Sequence, residues 1–160
     1  DGKYTKKDIT KANNYYKIAA DLGNPEAQAQ CGEALIKKDF ESGLKMLQKS
    51  AMQGNFNGMN YYSIALINGK NTDPKIIKCV HSLKEMADKG SHLAQMFYGK
   101  LLIKGPKNDL NRDKERFHKD PTEGVKYIKM AVDGNEPRAL YVYATCMLKG
   151  TGMPPKENGC

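Results

Sequence analysis

Four segments of this chain repeat one another, and each ends in glycine or asparagine. We take these end residues as the reference position of each repeat (Gly23, Gly54, Gly90, Asn135). Other fixed offsets hold similar residues in most of the repeats. Three residues earlier stand small apolar side chains (Ala20, Ala51, Ala87, Val132). Eight residues later stand one cysteine and three tyrosines (Cys31, Tyr62, Tyr98, Tyr143). Such self-similarity indicates a repeat architecture before any single residue is interpreted.

Each repeat contains two amphipathic helices separated by a turn at the reference position. Apolar and small residues before the turn share one helix face, and so do those after it. Glycine and asparagine tolerate a positive φ, so they suit this turn. A second glycine column (Gly69, Gly105, Gly150) predicts the other helix end in the same way.

The predicted fold class is all-α, with antiparallel helix pairs stacked in series. The predicted helices lie near residues 9–22, 25–37, 41–53, 56–68, 75–88, 91–104, 121–133 and 137–149. Small columns let helix axes approach closely, and the larger tyrosine and leucine columns fill the space beside them. Tyr62 and Tyr98 should therefore be buried.

The pattern resembles the Sel-1-like repeat, a relative of the tetratricopeptide repeat. The best local matches are residues 39–54 and 139–152, and Gly150-Thr151-Gly152-Met153 copies the Gly-x-Gly-Val loop of that family. The resemblance covers about residues 9 to 155. It implies a right-handed α-solenoid of stacked antiparallel helix pairs, an alpha-alpha superhelix of the tetratricopeptide type.

We predict that residues 1–160 form a single array. Its parts are a half unit, three complete units and a truncated unit (9–22; 25–53, 56–88, 91–133; 137–160). The third complete unit carries an inserted segment, 106–120, which is dense in charge and predicts an exposed loop. The chain begins without Met and stops within a loop, so we expect a piece of a longer protein.

The net charge of +8 raises the possibility of an acidic ligand, either nucleic acid or phospholipid. The lysines, however, are scattered and alternate with acidic residues. Lys37, Lys104 and Lys149 fall in last helical turns, where cations oppose the helix dipole. This distribution favours a basic surface exposed to solvent over a surface that binds nucleic acid.

The cysteines predict no disulfide framework. Cys31, Cys79 and Cys146 occupy small or apolar columns whose sister residues are not cysteine, so we interpret them as buried small hydrophobes. No unit holds two cysteines except through Cys160. This usage favours a reducing, cytoplasmic compartment.

Nothing in the sequence predicts catalysis, a metal or a cofactor. The chain has three histidines (His81, His92, His118), and only His81 lies near a cysteine, Cys79. Two residues apart on a helix, those side chains point to different faces. A zinc site would need about four ligands, and no second cluster exists. We therefore predict that the protein is not an enzyme.

The family resemblance implies that the helix after each reference turn lines a concave groove. The offsets that face this groove also include Glu26 and Thr145. The candidate partner-binding residues are Glu33, Asn57, Asn60, Ile64, Asn68, Met96, Lys100, Lys104, Arg138, Tyr141 and Lys149. Their chemistry varies between repeats while the core columns stay constant, as on a recognition surface carried by a scaffold. We predict an adaptor that binds a protein or peptide. The alternative is a basic platform for an acidic ligand.

Overall fold

The structure is a computed structural model that describes residues 8–69, 73–106 and 117–153. Those residues form eight α-helices and no strand. In chain order the helices are α1 (Ile9–Asp21), α2 (Pro25–Ile36), α3 (Phe40–Met52), α4 (Phe56–Asn68), α5 (Pro74–Asp88), α6 (His92–Lys104), α7 (Pro121–Asp133) and α8 (Pro137–Lys149). Each boundary lies within one residue of its prediction. The all-α prediction is confirmed.

The chain divides into two compact units, residues 1–62 and 63–160, with the division inside α4. The first unit contains α1, α2, α3 and the first half of α4. The second unit contains the rest of α4 and α5 to α8. The continuity of one array along residues 1–160 stays a prediction.

All four reference residues have a positive φ, as predicted. The angle is +94° at Gly23, +76° at Gly54, +92° at Gly90 and +61° at Asn135. Two members of the second glycine column, Gly105 and Gly150, also have a positive φ. The prediction is wrong for Gly69. There a Cβ atom would lie 2.7 Å from Ile76 Cδ1, so glycine provides room for the isoleucine rather than a left-handed turn.

Helix starts follow from side-chain caps and first-turn prolines. Asp39 Oδ1, for example, accepts a 3.1 Å hydrogen bond from the Ser42 N–H, which satisfies one of the free amides at the start of α3. Four helices begin with proline, whose missing N–H would have no partner at that position (Pro25, Pro74, Pro121, Pro137).

Pairs of glycines bring helices into close contact within each unit. A Cβ on Gly43 of α3 would lie 2.9 Å from the Gly32 carbonyl oxygen of α2. In the second unit a Cβ on Gly99 of α6 would lie 2.5 Å from the Gly124 carbonyl oxygen of α7. These two pairs stand at the same offsets from their reference turns. The small columns therefore mark helix crossings, as predicted.

The apolar columns form the core. Tyr62 is fully buried and Tyr98 is 7% exposed, which confirms the prediction for both. The columns are not buried in every repeat, because Tyr16, Met147 and Leu148 are exposed.

Burial also differs among the three cysteines of the described residues, none of which forms a disulfide there. Cys146 is buried, whereas Cys31 and Cys79 are only partly buried. The prediction of burial is thus wrong for these two. Cys31 lies beside a cleft described below.

Most of the charged insertion, residues 107–116, lies outside the described residues. The end of the insertion differs from the predicted exposed loop, because Phe117 is buried. The Asp120 N–H donates a 3.0 Å hydrogen bond to the Leu102 carbonyl oxygen, which fixes this end of the segment against α6.

Candidate partner-binding faces

In the first unit, a polar face lies on α2 and the first half of α4. At its centre the Glu26 carboxylate accepts hydrogen bonds of 3.0 Å from Asn55 Nδ2 and Asn57 Nδ2. Gln30 Nε2 donates a third, of 3.1 Å. These bonds lower the pKa of Glu26, and the bond from Asn55 contributes most to the lowering. The carboxylate is therefore charged and held in place.

A second contact joins the same two helices further along. The Tyr61 hydroxyl bonds to the Glu33 carboxylate, and this bond is the main reason that the pKa of Tyr61 is raised. The structure thus brings the predicted residues Glu33 and Asn57 onto one face, which we call the first face (Glu26, Gln30, Glu33, Asn55, Asn57, Tyr61). Asn60, also predicted, is partly buried.

Three members of the first face were missed by sequence reasoning. Gln30, Asn55 and Tyr61 do not stand at the groove offsets taken from the family resemblance. Gln30 lies one turn after Glu26 on α2, and Tyr61 one turn after Asn57 on α4. Helical spacing from the predicted residues would have found both.

In the second unit, the predicted residues of α4 and α6 differ in exposure. Ile64 is 46% exposed and Asn68 is exposed. Met96 is 1% exposed, so the prediction that it contacts a partner is wrong. The reason is that α6 is buried over most of its circumference, with eight of its residues in the core.

Lys100 of α6 is half-buried, with its Nζ atom 4.7 Å from the centre of the Phe97 ring. Desolvation, assisted by the nearby charge of Lys104, lowers the pKa of Lys100. Lys104 itself is exposed in the last turn of the helix. Lys100 is therefore placed by packing, while Lys104 extends into solvent.

The predicted residues of α8 are accessible. Tyr141 is 78% exposed, and Arg138 and Lys149 are exposed. Arg138 Nη1 lies 3.6 Å from Glu136 Oε1 at the start of the helix. We call these three residues of α8 the second face.

A cleft of about 600 Å³ lies between α1, α2 and α3 in the first unit. Its walls carry both apolar and charged side chains. The lining residues are Asn13, Tyr16, Lys17, Gln30, Cys31, Glu33, Ala34, Leu35, Lys37 and Met46. Gln30 and Glu33 belong to both the cleft and the first face.

The described residues hold no cluster of three or more His, Cys, Asp or Glu side chains that could bind a metal ion. In the same residues His81 is exposed, and His92 Nδ1 lies 3.1 Å from Gln95 Oε1. Across residues 8–69, 73–106 and 117–153, every helix is too short or too polar to cross a lipid bilayer.

Comparison with known proteins identifies a matching family and a relative. The Sel1 repeat family matches residues 1–24, 25–55 and 137–158. Mouse DAP3-binding cell death enhancer 1 is 29% identical over 152 residues, which cover 91% of this chain. The chain spans only 28% of the length of that mouse protein. Sel1 repeats are protein-interaction modules.

Proposed function

We propose that this chain, three segments of which match the Sel1 repeat family, is a non-enzymatic adaptor that binds another polypeptide, and that the first face and the second face each offer a contact surface of their own. Both faces are built on helices that follow a reference turn. The observation that carries this proposal is the Glu26 carboxylate, which three amide side chains hold on an exposed surface.

Fixed polar groups favour binding because their conformational entropy is already lost before the partner arrives. The Glu26 and Glu33 carboxylates can accept hydrogen bonds from backbone or cationic donors of an extended chain. The neighbouring amides of Asn55 and Asn57 offer further donors and acceptors. The first face therefore suits a polypeptide whose contacting segment is neutral or basic.

The second face supplies the residue types that dominate measured protein interfaces. Tyrosine and arginine are enriched among binding hot spots, and Tyr141 and Arg138 are both exposed on α8. Lys149 adds positive charge at the C-terminus of α8. The second face therefore suits an acidic contacting segment.

Local ion pairs speak against a basic platform for nucleic acid or phospholipid. Four lysines are each paired with an acid three or four residues away, at 2.6 to 3.2 Å (Lys84–Asp88, Lys89–Glu85, Lys126–Glu123, Lys129–Asp133). Paired charges release fewer counterions on binding a polyanion, so they contribute less to such an affinity.

The mouse relative is named for binding DAP3, so DAP3 is the first partner to test. We expect purified DAP3 to bind the immobilised chain in a biosensor measurement. Affinity should fall less than tenfold between about 50 and about 200 mM salt, since a polyanion ligand would lose roughly a thousandfold. Peptides selected by display on this chain provide a second ligand if DAP3 is not the partner.

Glu26→Ala and Tyr141→Ala should each lower the affinity for the polypeptide at least tenfold, as expected for contact residues. The matched controls are Glu85→Ala and Tyr15→Ala, which alter an exposed acid and an exposed tyrosine on helices that precede a reference turn. Equal effects of test and control variants, or a steep salt dependence, would overturn the proposal.

A further inference from the structure

The helices α1, α2 and α3 of the first unit repeat the arrangement of α5, α6 and α7 of the second. A hydrogen bond that occurs in both units establishes the correspondence. Gln28 Nε2 donates to the Ala20 carbonyl oxygen at 3.1 Å, and Gln95 Nε2 donates to the Ala87 carbonyl oxygen at 3.1 Å. Both pairs stand at the same offsets from Gly23 and Gly90. The glycine crossings of the two units agree with this correspondence.

In the second unit, two tyrosines fill the space between these helices. The rings of Tyr98 and Tyr127 meet edge to face, with centroids 4.8 Å apart and planes at 87°. The Tyr127 hydroxyl donates a 2.7 Å hydrogen bond to Asp88 Oδ1. Lys84 Nζ donates to the other carboxylate oxygen at 2.6 Å. Ring packing and a charged hydrogen bond thus act together.

In the first unit, the corresponding residues keep the charges but lose both rings. Cys31 stands where Tyr98 does, and Met46 where Tyr127 does. Lys17 and Asp21 correspond to Lys84 and Asp88. The cleft of about 600 Å³ lies at this place, lined by Cys31, Met46 and Lys17.

The charged groups beside the cleft are of the kind that hydrogen-bond a phenol in the second unit. Asp21 lies one turn beyond Lys17 on α1, and its charge reaches Cys31: the pKa of the thiol is raised by burial and then by Asp21. In the described residues the Asp21 carboxylate has no hydroxyl donor corresponding to Tyr127. A volume of this size is within the range of protein pockets that hold organic ligands.

We propose that this cleft receives a tyrosine side chain of the partner polypeptide, with its ring between Cys31 and Met46 and its hydroxyl directed to Asp21. This rests on the proposed adaptor function. The ring would occupy the space that Tyr98 and Tyr127 fill in the second unit. The backbone of the partner can lie over the exposed residues Gln30 and Glu33, which continue into the first face.

The test uses a blocked pentapeptide, Ser-Gly-Tyr-Gly-Ser, titrated into the isotope-labelled chain and followed by NMR. Shift changes should centre on Cys31, Met46 and Lys17. Replacing the peptide tyrosine with phenylalanine should weaken binding about tenfold, because the hydrogen bond to a carboxylate is lost. Asp21→Asn should have a similar effect. Asp133→Asn, at the same offset in the last repeat, should have none.

A double substitution, Cys31→Tyr with Met46→Tyr, transfers the aromatic pair of the second unit into the cleft. It should abolish peptide binding while circular dichroism shows an unchanged helix content. Equal binding of tyrosine, phenylalanine and alanine peptides would overturn the proposal. So would a double variant that folds and still binds, or self-association of the chain through these residues. If the tyrosine peptide did not bind but partner binding still depended on Glu26, the tyrosine site would be wrong and the adaptor function would still hold.

Discussion

The Tyr127 hydroxyl donates a 2.7 Å hydrogen bond to Asp88 Oδ1 and so connects α7 to the end of α5. The same carboxylate accepts from Lys84, and the Tyr127 ring packs edge to face on Tyr98. Burial raises the pKa of Tyr98 to about 12, so this neighbouring phenol stays protonated in the physiological range. Three helices of the second unit therefore meet at one small polar and aromatic cluster.

Tyr127→Phe should lower the free energy of unfolding by about 1 kcal/mol. The change removes one hydrogen bond to a charged group, and because Asp88 is 46% exposed, water compensates for part of the loss. The ring contact with Tyr98 is kept. Urea unfolding followed by circular dichroism measures the difference. Tyr143→Phe is the matched control, because the Tyr143 hydroxyl forms no hydrogen bond within the described residues, and an equal loss there would contradict the assignment.

The stabilising effect of Asp88 should depend on pH. Hydrogen bonds from Lys84, and to a smaller degree from Tyr127, lower the pKa of Asp88 in the folded protein. A lowered carboxyl pKa contributes stability above the unfolded value of about 3.9, and that contribution disappears as the pH falls through the folded value. The difference in unfolding free energy between wild type and Asp88→Asn should therefore shrink as the pH falls from about 6 towards about 2. A constant difference would contradict this prediction.

Much of the fold could be predicted from the sequence because turns and crossings demand particular residues. A positive φ at Gly23, Gly54, Gly90 and Asn135 explains why only glycine or asparagine stands there. Burial of Tyr62 and Tyr98 likewise follows from the repeat columns.

The prediction of the binding residues was less accurate, because the exposure of a residue depends on how many neighbours surround its helix. Met96 stands at a groove offset but is buried, since α6 is enclosed on most sides. Pairing between side chains of different helices was also beyond the sequence. The contact of Asn55 with Glu26, separated by 29 residues, required the structure. The cleft beside Cys31 became interpretable only when the corresponding tyrosine pair was seen in place.

Gly99→Ala should destabilise the protein by about 3 kcal/mol, through overpacking. The new methyl group would lie 2.5 Å from the Gly124 carbonyl oxygen. Because this oxygen is a backbone atom, moving a side chain cannot remove the clash. Gly90→Ala is the comparison, since a Cβ there has nothing within 4 Å and meets only the strain of a positive φ. That strain costs about 1 kcal/mol. Thermal and urea unfolding should rank Gly99→Ala as clearly the more damaging, and the reverse order would contradict the close helix crossing.

Gln28→Met and Gln95→Met should each lower the free energy of unfolding by about 1–2 kcal/mol, since each removes buried hydrogen bonds with little change in volume. Gln28 is 6% exposed and Gln95 is 4% exposed, and each donates to the carbonyl oxygen of the small residue before its turn. Gln28 Oε1 also accepts a 2.8 Å bond from Gln53, and Gln95 Oε1 has His92 Nδ1 at 3.1 Å, so the two losses should be similar. Gln30→Met, on the exposed side of α2, should change stability by less than about 0.5 kcal/mol. If the two buried variants were as mild as Gln30→Met, these amides would not be what holds the successive helices in register.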